Sequence, residues 1–271
     1  YYTNYYSQNG SKNFYANRMQ EFFGPRKVTG DTFPFMAQGY TNGMVCSSLW
    51  YDWLNDPDYA GDYRREGSIC NKDTELPNHK GDPNKEVEDT RFIAKKMIGI
   101  YANVDGSNVN YSFMYGGQND SQLGNNQDVI VIRFADVLLM HSEITGTADG
   151  MNKVRARAGL PAVSYSLEAL KKERRFELCF EALRWNDLRR WGDVEQIVKN
   201  QEGNAILNQG AEGVYQWQSN HPFMDRYNAT GGGFFKIPES QVTLSEGVLE
   251  QNPGWESDAN FAKGDLPYFK K

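Results

Sequence analysis

Cysteine and histidine are scarce in this sequence, with three of each among 271 residues. The three cysteines, Cys46, Cys70 and Cys179, are an odd number without a CxxC pair, so they predict neither a disulfide framework nor a zinc site. The HExxH and GxSxG motifs, the P-loop and the glycine fingerprint of dinucleotide-binding folds are also absent. These absences argue against the common zinc, serine-hydrolase and nucleotide-dependent enzymes.

An excess of positive charge and a long apolar run are also missing. The formal net charge is −6 and the pI is near 5.2, which argues against nucleic acid as a partner, because nucleic-acid binders present a basic face. No apolar run reaches the roughly 18 residues that a membrane-spanning helix needs. The opening YYTNYYSQNG has no basic flank and no apolar core, so it is not a signal peptide, and we expect the true N-terminus to lie upstream.

Two regions of different composition follow one another along the chain. Residues 1–127 are dense in Gly, Asn, Asp and aromatic residues, and clusters such as NDPDYAGD and NHKGDPNK predict turns. We expect long ordered loops there, with short strands or helices, which form the ligand-binding face. Residues 128–271 are predicted to be a helical region with a closing tail. The two regions are expected to form one domain.

Residues 128–190 carry the helical signals. In DVIVIRFADVLLMHSEI, apolar residues recur at helical spacing and predict one face, made of Ile130, Phe134, Val137, Leu138 and His141. A second helix, MNKVRARAGLP, is predicted to stop at Gly159, and Ser166 is predicted to cap a long third helix, LEALKKERRFELCFEALRWNDLRR. Helix pairs joined by short turns predict a mainly α, tetratricopeptide-like fold with extensive irregular loops and a few short strands.

Carboxylates were considered as catalytic and metal-binding groups. Glu173, Glu177 and Glu181 follow one another at i, i+4 spacing, interleaved with arginines, which favours a structural ion-pair network over a proton relay. Asp56, Asp58 and Asp62 lie in a segment without the glycine and final glutamate of a calcium loop. No cofactor is therefore predicted, although a structural calcium ion stays open beside the simpler role of these residues in turns.

Aromatic residues make up 14% of the chain, with 16 Tyr and 6 Trp. Receptors for sugars stack the apolar face of the ring on Trp or Tyr and bind the hydroxyl groups with polar side chains. Three aromatic clusters in polar surroundings supply the candidate ligand-binding residues, which are Trp50, Tyr51, Trp53, Tyr59, Tyr111, Tyr115, Gln118, Tyr215 and Trp217. For each of these aromatic side chains, a buried anchor of a loop is the structural alternative.

Four segments together resemble the SusD/RagB family. They are RFADVLLMHSE, NKVRARAGL, ERRFELCFEALRWNDLRRW and FFKIPESQVTLSEGVLEQNPGW, and they occur in the family's order between residues 133 and 255. The last segment ends in Trp255 where the family usually has Tyr. The resemblance covers the C-terminal part of the family pattern, and its lipid-anchored cysteine and N-terminal helices are expected outside this sequence.

This resemblance implies a non-catalytic receptor on the bacterial surface. Family members are held in the outer membrane by an N-terminal lipid, which is not present in this chain. They bind glycans and deliver them to a SusC-like TonB-dependent transporter. The resemblance also implies that the charged motif residues hold helices together, whereas ligand residues lie in the loops.

Three other functions stay open at this point. A peptide receptor of the RagB type would use a groove with backbone pairing. A glycoside hydrolase would need two carboxylates about 5–10 Å apart across the bound sugar. A structural adaptor would bind proteins through its helices without taking a small ligand.

Overall fold

Helices dominate the part of the chain that the computed structural model describes, namely residues 23–24, 43–79, 90–110, 129–201, 205–207, 214–217, 222–255 and 269–270. Numbered within these residues, the helices are α1 Ser47–Asn55, α2 Arg64–Ser68, α3 Lys72–Glu75, α4 Phe134–Thr145, α5 Asp149–Arg157, α6 Leu167–Glu177, α7 Arg184–Trp191, α8 Val194–Gln201, α9 Pro222–Ala229 and α10 Glu239–Leu244. Short 3₁₀ turns occur at Pro57–Tyr59 and Lys95–Met97. The mainly helical prediction is confirmed.

The strands are short and form small antiparallel pairings. They are β1 Ile69–Asn71, β2 Phe92–Ala94, β3 Tyr101–Val104, β4 Ser107–Asn110, β5 Ala205–Leu207, β6 Val214–Trp217 and β7 Phe269–Lys270. Strand β1 pairs with β2 in the register Cys70↔Ile93, β3 pairs with β4, and β6 pairs with β7. The β3–β4 turn is Asp105-Gly106 with φ values of 52° and 79°, as a tight two-residue hairpin requires.

Contacts divide the described residues into two compact units. The first contains those up to Arg184, and the second contains those from Trp185 onwards, apart from Leu207. The separate prediction that residues 1–127 and 128–271 differ in role stays a prediction. In the described residues, the helices are too short or too polar for any of them to cross a bilayer.

An aromatic stack forms the centre of the first unit. Trp53 is fully buried and lies parallel to Phe176, with ring centroids 4.7 Å apart, and Tyr59 meets Phe176 edge-on at the same distance. The cluster around this stack also contains Phe92 from β2 and Ala158 from the end of α5. The loop-rich and helical regions of the sequence therefore share one core.

Helices α4 and α5 form a hairpin in this unit. Gly146 ends α4 with φ of 66°, and Gly150 lies so close that an added Cβ would be 2.0 Å from the Leu138 carbonyl oxygen. Only glycine allows this approach of the two backbones. Ser166 caps α6 by accepting a hydrogen bond from the Ala169 amide, and Gly159 follows α5 with φ of 74°, as predicted.

Most of the predicted apolar face of α4 is exposed, although its member Leu138 packs, partly buried, against the core cluster. Ile130, Phe134 and Val137 are 45%, 73% and 42% exposed, whereas Ala135 and Leu139 are buried in the cluster that α4 shares with α5 and α6. A small residue such as Ala135 carries little signal in an apolar pattern. Periodicity therefore identified the helix but not its buried side.

The prediction of one long helix from Leu167 is wrong. Helix α6 ends at Glu177 and α7 begins at Arg184, and between them Phe180 and Ala182 have left-handed φ values of 66° and 60°. A non-glycine residue in this region carries a backbone cost, so the surrounding structure must favour the turn. The turn places Glu181 against cations from other elements.

In the second unit, the closing tail is held by its own side chains. Gln251 donates to and accepts from the backbone of Ile237, at 2.9 and 2.8 Å, and Asn252 donates to the Phe235 carbonyl oxygen at 2.6 Å. Trp255 Nε1 donates to the Phe234 carbonyl oxygen at 2.9 Å, and the Arg226 guanidinium lies 3.8 Å above the Trp255 ring. The side chains of the motif QNPGW thus supply hydrogen-bond partners for the backbone of the segment FFKIP, which forms no strand.

Replacing the central tryptophan tests the stack. Trp53→Ala removes the contact with Phe176 and the hydrogen bond from Trp53 Nε1 to Asp62, which is 3.0 Å long. We expect the free energy of unfolding to fall by about 3–5 kcal/mol, measured by urea denaturation. Leu54→Ala, at the neighbouring and 45% exposed position, is the control and should change it by about 0.5 kcal/mol or less. Equal losses in the two variants would contradict the stack's central role.

Candidate functional site

Three of the four aromatic candidates in the first predicted cluster lie in the core. Trp50, Trp53 and Tyr59 are 9%, 0% and 2% exposed. Trp50 stacks on Phe92 at 5.2 Å, and the other two rings surround Phe176. A covered ring offers no face to a sugar, so these three positions are corrected from ligand candidates to buried anchors.

Tyr51 is the exposed member of that cluster. Tyr51 is 52% exposed, and its ring lies perpendicular to that of Phe92, with the ring centroids 5.9 Å apart. Leu54 and Asn55, three and four residues later in α1, lie on the same side of the helix and are also exposed. Tyr51, Leu54 and Asn55 are called the α1 face below.

The α1 face combines the groups that bind a sugar. The Tyr51 ring and the Leu54 side chain are apolar, and the Asn55 amide can both donate and accept hydrogen bonds. Of these three residues, only Tyr51 was predicted from the sequence as a ligand-binding residue, and Leu54 was missed. The signal was available in the i, i+3 spacing once Ser47–Asn55 was recognised as a helix.

Charges beside the α1 face are paired with those on α6. Arg175 Nη1 donates to Asp52 Oδ2 at 2.6 Å, and Lys172 Nζ donates to Asp56 Oδ2 at 2.8 Å. Both pairs connect positions more than a hundred residues apart. These two ion pairs join α1 to α6. In each pair one carboxylate is balanced by one cation.

The structure describes the other two predicted aromatic clusters only in part. Tyr111, Tyr115 and Gln118 lie outside the described residues. Tyr215 and Trp217 lie in β6, and their side chains are outside the described part. For all five residues a ligand role stays a prediction.

A pocket of about 340 Å³ opens beside α4 and α5. Its lining residues are Arg133, Phe134, Ala135, Leu138, Lys153, Val154 and Arg157. Four of these residues are apolar and three are basic, and none has an amide or hydroxyl side chain. The α1 face matches the hydroxyl groups of a sugar better than this pocket does.

Buried carboxylates meet arginines at the centre of the first unit. Arg64 donates to Asp62, to Glu173 at 2.8 Å and to Glu177 at 2.7 Å. Glu173 is fully buried and also accepts hydrogen bonds from the Tyr59 hydroxyl at 2.9 Å and from Arg155 at 3.2 Å. A structural network was predicted for these glutamates, and their hydrogen-bond partners fit that role.

The network continues to the turn after α6. Arg133 donates to Glu177 at 2.5 Å and to Glu181 at 2.7 Å, and Lys96 donates to Glu181 at 2.9 Å. The interleaved arginines that suggested the network have other partners, since Arg174 pairs with Asp136 and Arg175 with Asp52. The cations that hold the glutamates come from elsewhere in the sequence, and local spacing could not reveal them.

The arginines set the charge state of two glutamates. Burial by itself would raise the pKa of Glu177, but hydrogen bonds from Arg133 and Arg64 outweigh it and lower the pKa below its ordinary value of 4.5. Burial likewise opposes ionisation of Glu181, and hydrogen bonds from Arg133 and Lys96 lower its pKa. Both side chains are therefore held as carboxylates, whereas a general acid needs a raised pKa.

The aspartates considered for calcium are engaged in local structure. Asp56 accepts from the Asp58 amide at 3.0 Å and pairs with Lys172, and Asp62 accepts from Trp53 and Arg64. Within the described ranges, no group of three His, Cys, Asp or Glu side chains is placed to hold a metal ion. That the chain has no cofactor, with a structural calcium ion left open, stays a prediction.

Comparison with known proteins gives a consistent result. The sequence model of the SusD family matches residues 3–255. Among curated proteins, the SusD-like protein P25 of Formosa agariphila is 30% identical over 129 residues, which cover 40% of this chain and 24% of that protein. This chain therefore spans about a quarter of that relative.

Solved structures show the same similarity. A laminarin-binding SusD-like protein superposes with a TM-score of 0.59 at 26% identity, covering 88% of this chain and 44% of that one. Surface glycan-binding protein A from Bacteroides thetaiotaomicron superposes with a TM-score of 0.58 at 19% identity, covering 87% and 46%. At the latter identity the likeness shows the fold alone, and this chain spans less than half of either structure.

Acid should destabilise the chain through the glutamate network. A carboxylate with a lowered pKa in the folded state stabilises the protein above its ordinary pKa, and this contribution is lost as the pH falls below about 4.5. We expect the free energy of unfolding to decrease from pH 5 to pH 3, and to decrease less in Glu181→Gln, as measured by urea denaturation at each pH. Glu250→Gln changes an exposed carboxylate in the second unit and should keep the wild-type slope. A pH-independent stability would contradict the role of the network.

Removing one carboxylate from the network should destabilise the protein at neutral pH. Glu177→Gln leaves Arg64 and Arg133 buried or half-buried with one partner fewer. Breaking a buried ion pair on one side costs about 3–5 kcal/mol, so we expect a loss in this range at pH 7 by urea denaturation. A loss as small as that of Glu250→Gln would show that the network is dispensable.

Proposed function

The chain belongs to the SusD family, and from this membership we propose that it is a non-catalytic cell-surface receptor for glycans. The observation that carries the proposal is the family match over residues 3–255, supported by the similarity to a laminarin-binding SusD-like protein at 26% identity. We further propose that the receptor delivers its glycan to a SusC-like TonB-dependent transporter. It would act at the outer membrane, held there by an N-terminal lipid.

The α1 face is the proposed contact for the glycan. Tyr51 is half-exposed and its ring contacts Phe92, which restrains the ring before the ligand arrives. A fixed ring loses little conformational freedom on binding, which favours affinity. Leu54 extends the apolar surface, and Asn55 supplies a donor and an acceptor for hydroxyl groups.

The charge state of the acids supports binding without turnover. A glycoside hydrolase needs one carboxyl group that stays protonated near neutral pH beside a second that is ionised. Glu177 and Glu181 have lowered pKa values and are bound to cations, and Asp52 and Asp56 beside the α1 face are paired with Arg175 and Lys172. These groups suit a receptor better than a hydrolase.

Removing the exposed ring tests both the function and the place of binding. We expect Tyr51→Ala to weaken the retardation of the protein in gels that contain laminarin, by roughly fivefold in affinity, because a stacked aromatic contact contributes about 1 kcal/mol. The measurement is affinity electrophoresis of the full-length protein, with the same gels assayed for released reducing ends. None are expected.

Tyr63 offers a matched control. It is 61% exposed, lies before α2 rather than on α1, and its hydroxyl donates to the Arg157 carbonyl oxygen at 3.2 Å. Tyr63→Ala should therefore keep wild-type retardation. Equal effects of the two substitutions would show that Tyr51 is not part of the site. Release of reducing ends would show that the protein is an enzyme and not a non-catalytic receptor.

A further inference from the structure

The charges around Tyr51 define which glycans the α1 face accepts. We propose that this face binds neutral glycans and discriminates against polyanionic ones such as polyuronates. The inference rests on the proposed function, since it names the ligand class of the same site. It follows from how the flanking charges are paired.

Among the described residues, the two cations from α6 that lie beside the α1 face are already bound to carboxylates. Arg175 lies 2.6 Å from Asp52, and Lys172 lies 2.8 Å from Asp56. The side chain of Arg175 is only 24% exposed, so its guanidinium is held against α1 rather than extended into solvent. A uronate at either cation would have to share it with a carboxylate of the protein or displace that carboxylate.

Such a displacement would leave an uncompensated negative charge beside the new one. Asp58, a further exposed acid after α1, adds to the negative charge on this part of the chain. The whole chain has a net charge of −6, which repels a polyanion at longer range. Like charges brought together in an interface disfavour the wrong partner, and here that partner is an acidic polysaccharide.

A neutral sugar meets none of these obstacles. The Tyr51 ring and Leu54 can cover the C–H face of a pyranose, and the Asn55 amide can bind hydroxyl groups without disturbing either ion pair. Binding of this kind should depend little on salt.

The first experiment compares two polysaccharides by affinity electrophoresis of the full-length protein. Laminarin is the neutral probe, alginate is the polyuronate probe, and each gel is run at low and at high NaCl concentration. We expect retardation by laminarin at both salt concentrations, and at least fivefold weaker retardation by alginate. Retardation by alginate that equals or exceeds that by laminarin would overturn the inference while leaving the glycan receptor in place.

The second experiment removes the carboxylate partner of one cation, Arg175. Asp52→Asn removes the partner of Arg175, and we expect the retardation by alginate to increase about two- to fivefold at low salt, the range of a surface ion pair, with little change for laminarin. The gain should disappear at high salt, since exposed charges are screened. Glu250→Gln makes the same change in net charge at an exposed position in the second unit and should give no gain.

The outcomes separate this inference from the function on which it rests. A gain for alginate in Glu250→Gln equal to that in Asp52→Asn would show a general charge effect and overturn the assignment to the α1 face. Absence of retardation by either polysaccharide would instead overturn the glycan receptor itself. Urea denaturation of each variant shows whether a changed mobility reflects unfolding.

Discussion

The buried carboxylates of Glu173 and Glu177 are the constraint on which the first unit depends. Both lie on α6, and both are bound by Arg64, which comes from a helix more than a hundred residues earlier in the sequence. A buried carboxylate is costly unless charged partners surround it, so the loop-rich segment before residue 80 must fold against α6. The turn after α6 follows from the same requirement, because it brings Glu181 to Arg133.

The aromatic stack beside this network distinguishes the aromatic rings that anchor the core from those that are exposed. Trp53 and Tyr59 lie against Phe176, and each also donates a hydrogen bond to an acid of the network, Asp62 or Glu173. The polar ends of these rings are thereby satisfied inside the core. Tyr51 has no such partner in the core and is half-exposed. Among the described residues, some aromatic rings therefore serve packing, whereas others, such as Tyr51, Tyr63 and Phe235, are exposed.

The segments that are most recognisable in the sequence are structural. Glu173 and Glu177 hold cations, Arg155 binds Glu173, and Gln251 binds the backbone of Ile237. A family can keep this framework while its exposed loops and helix faces change. The proposed ligand face, on α1, accordingly lies outside all four recognisable segments, and its specificity is set by the paired charges between Asp52 and Arg175.

The sequence by itself determined the family, the mainly helical fold, the cap at Ser166 and the structural role of the glutamates on α6. These depend on local spacing and on motifs that can be read along the chain. Only the tertiary structure decided which aromatic rings are buried, which side of α4 packs, and which cations hold Glu177 and Glu181. Burial and ion pairing join residues that are far apart in sequence, so the sequence of one segment does not show which other segments will pack over it.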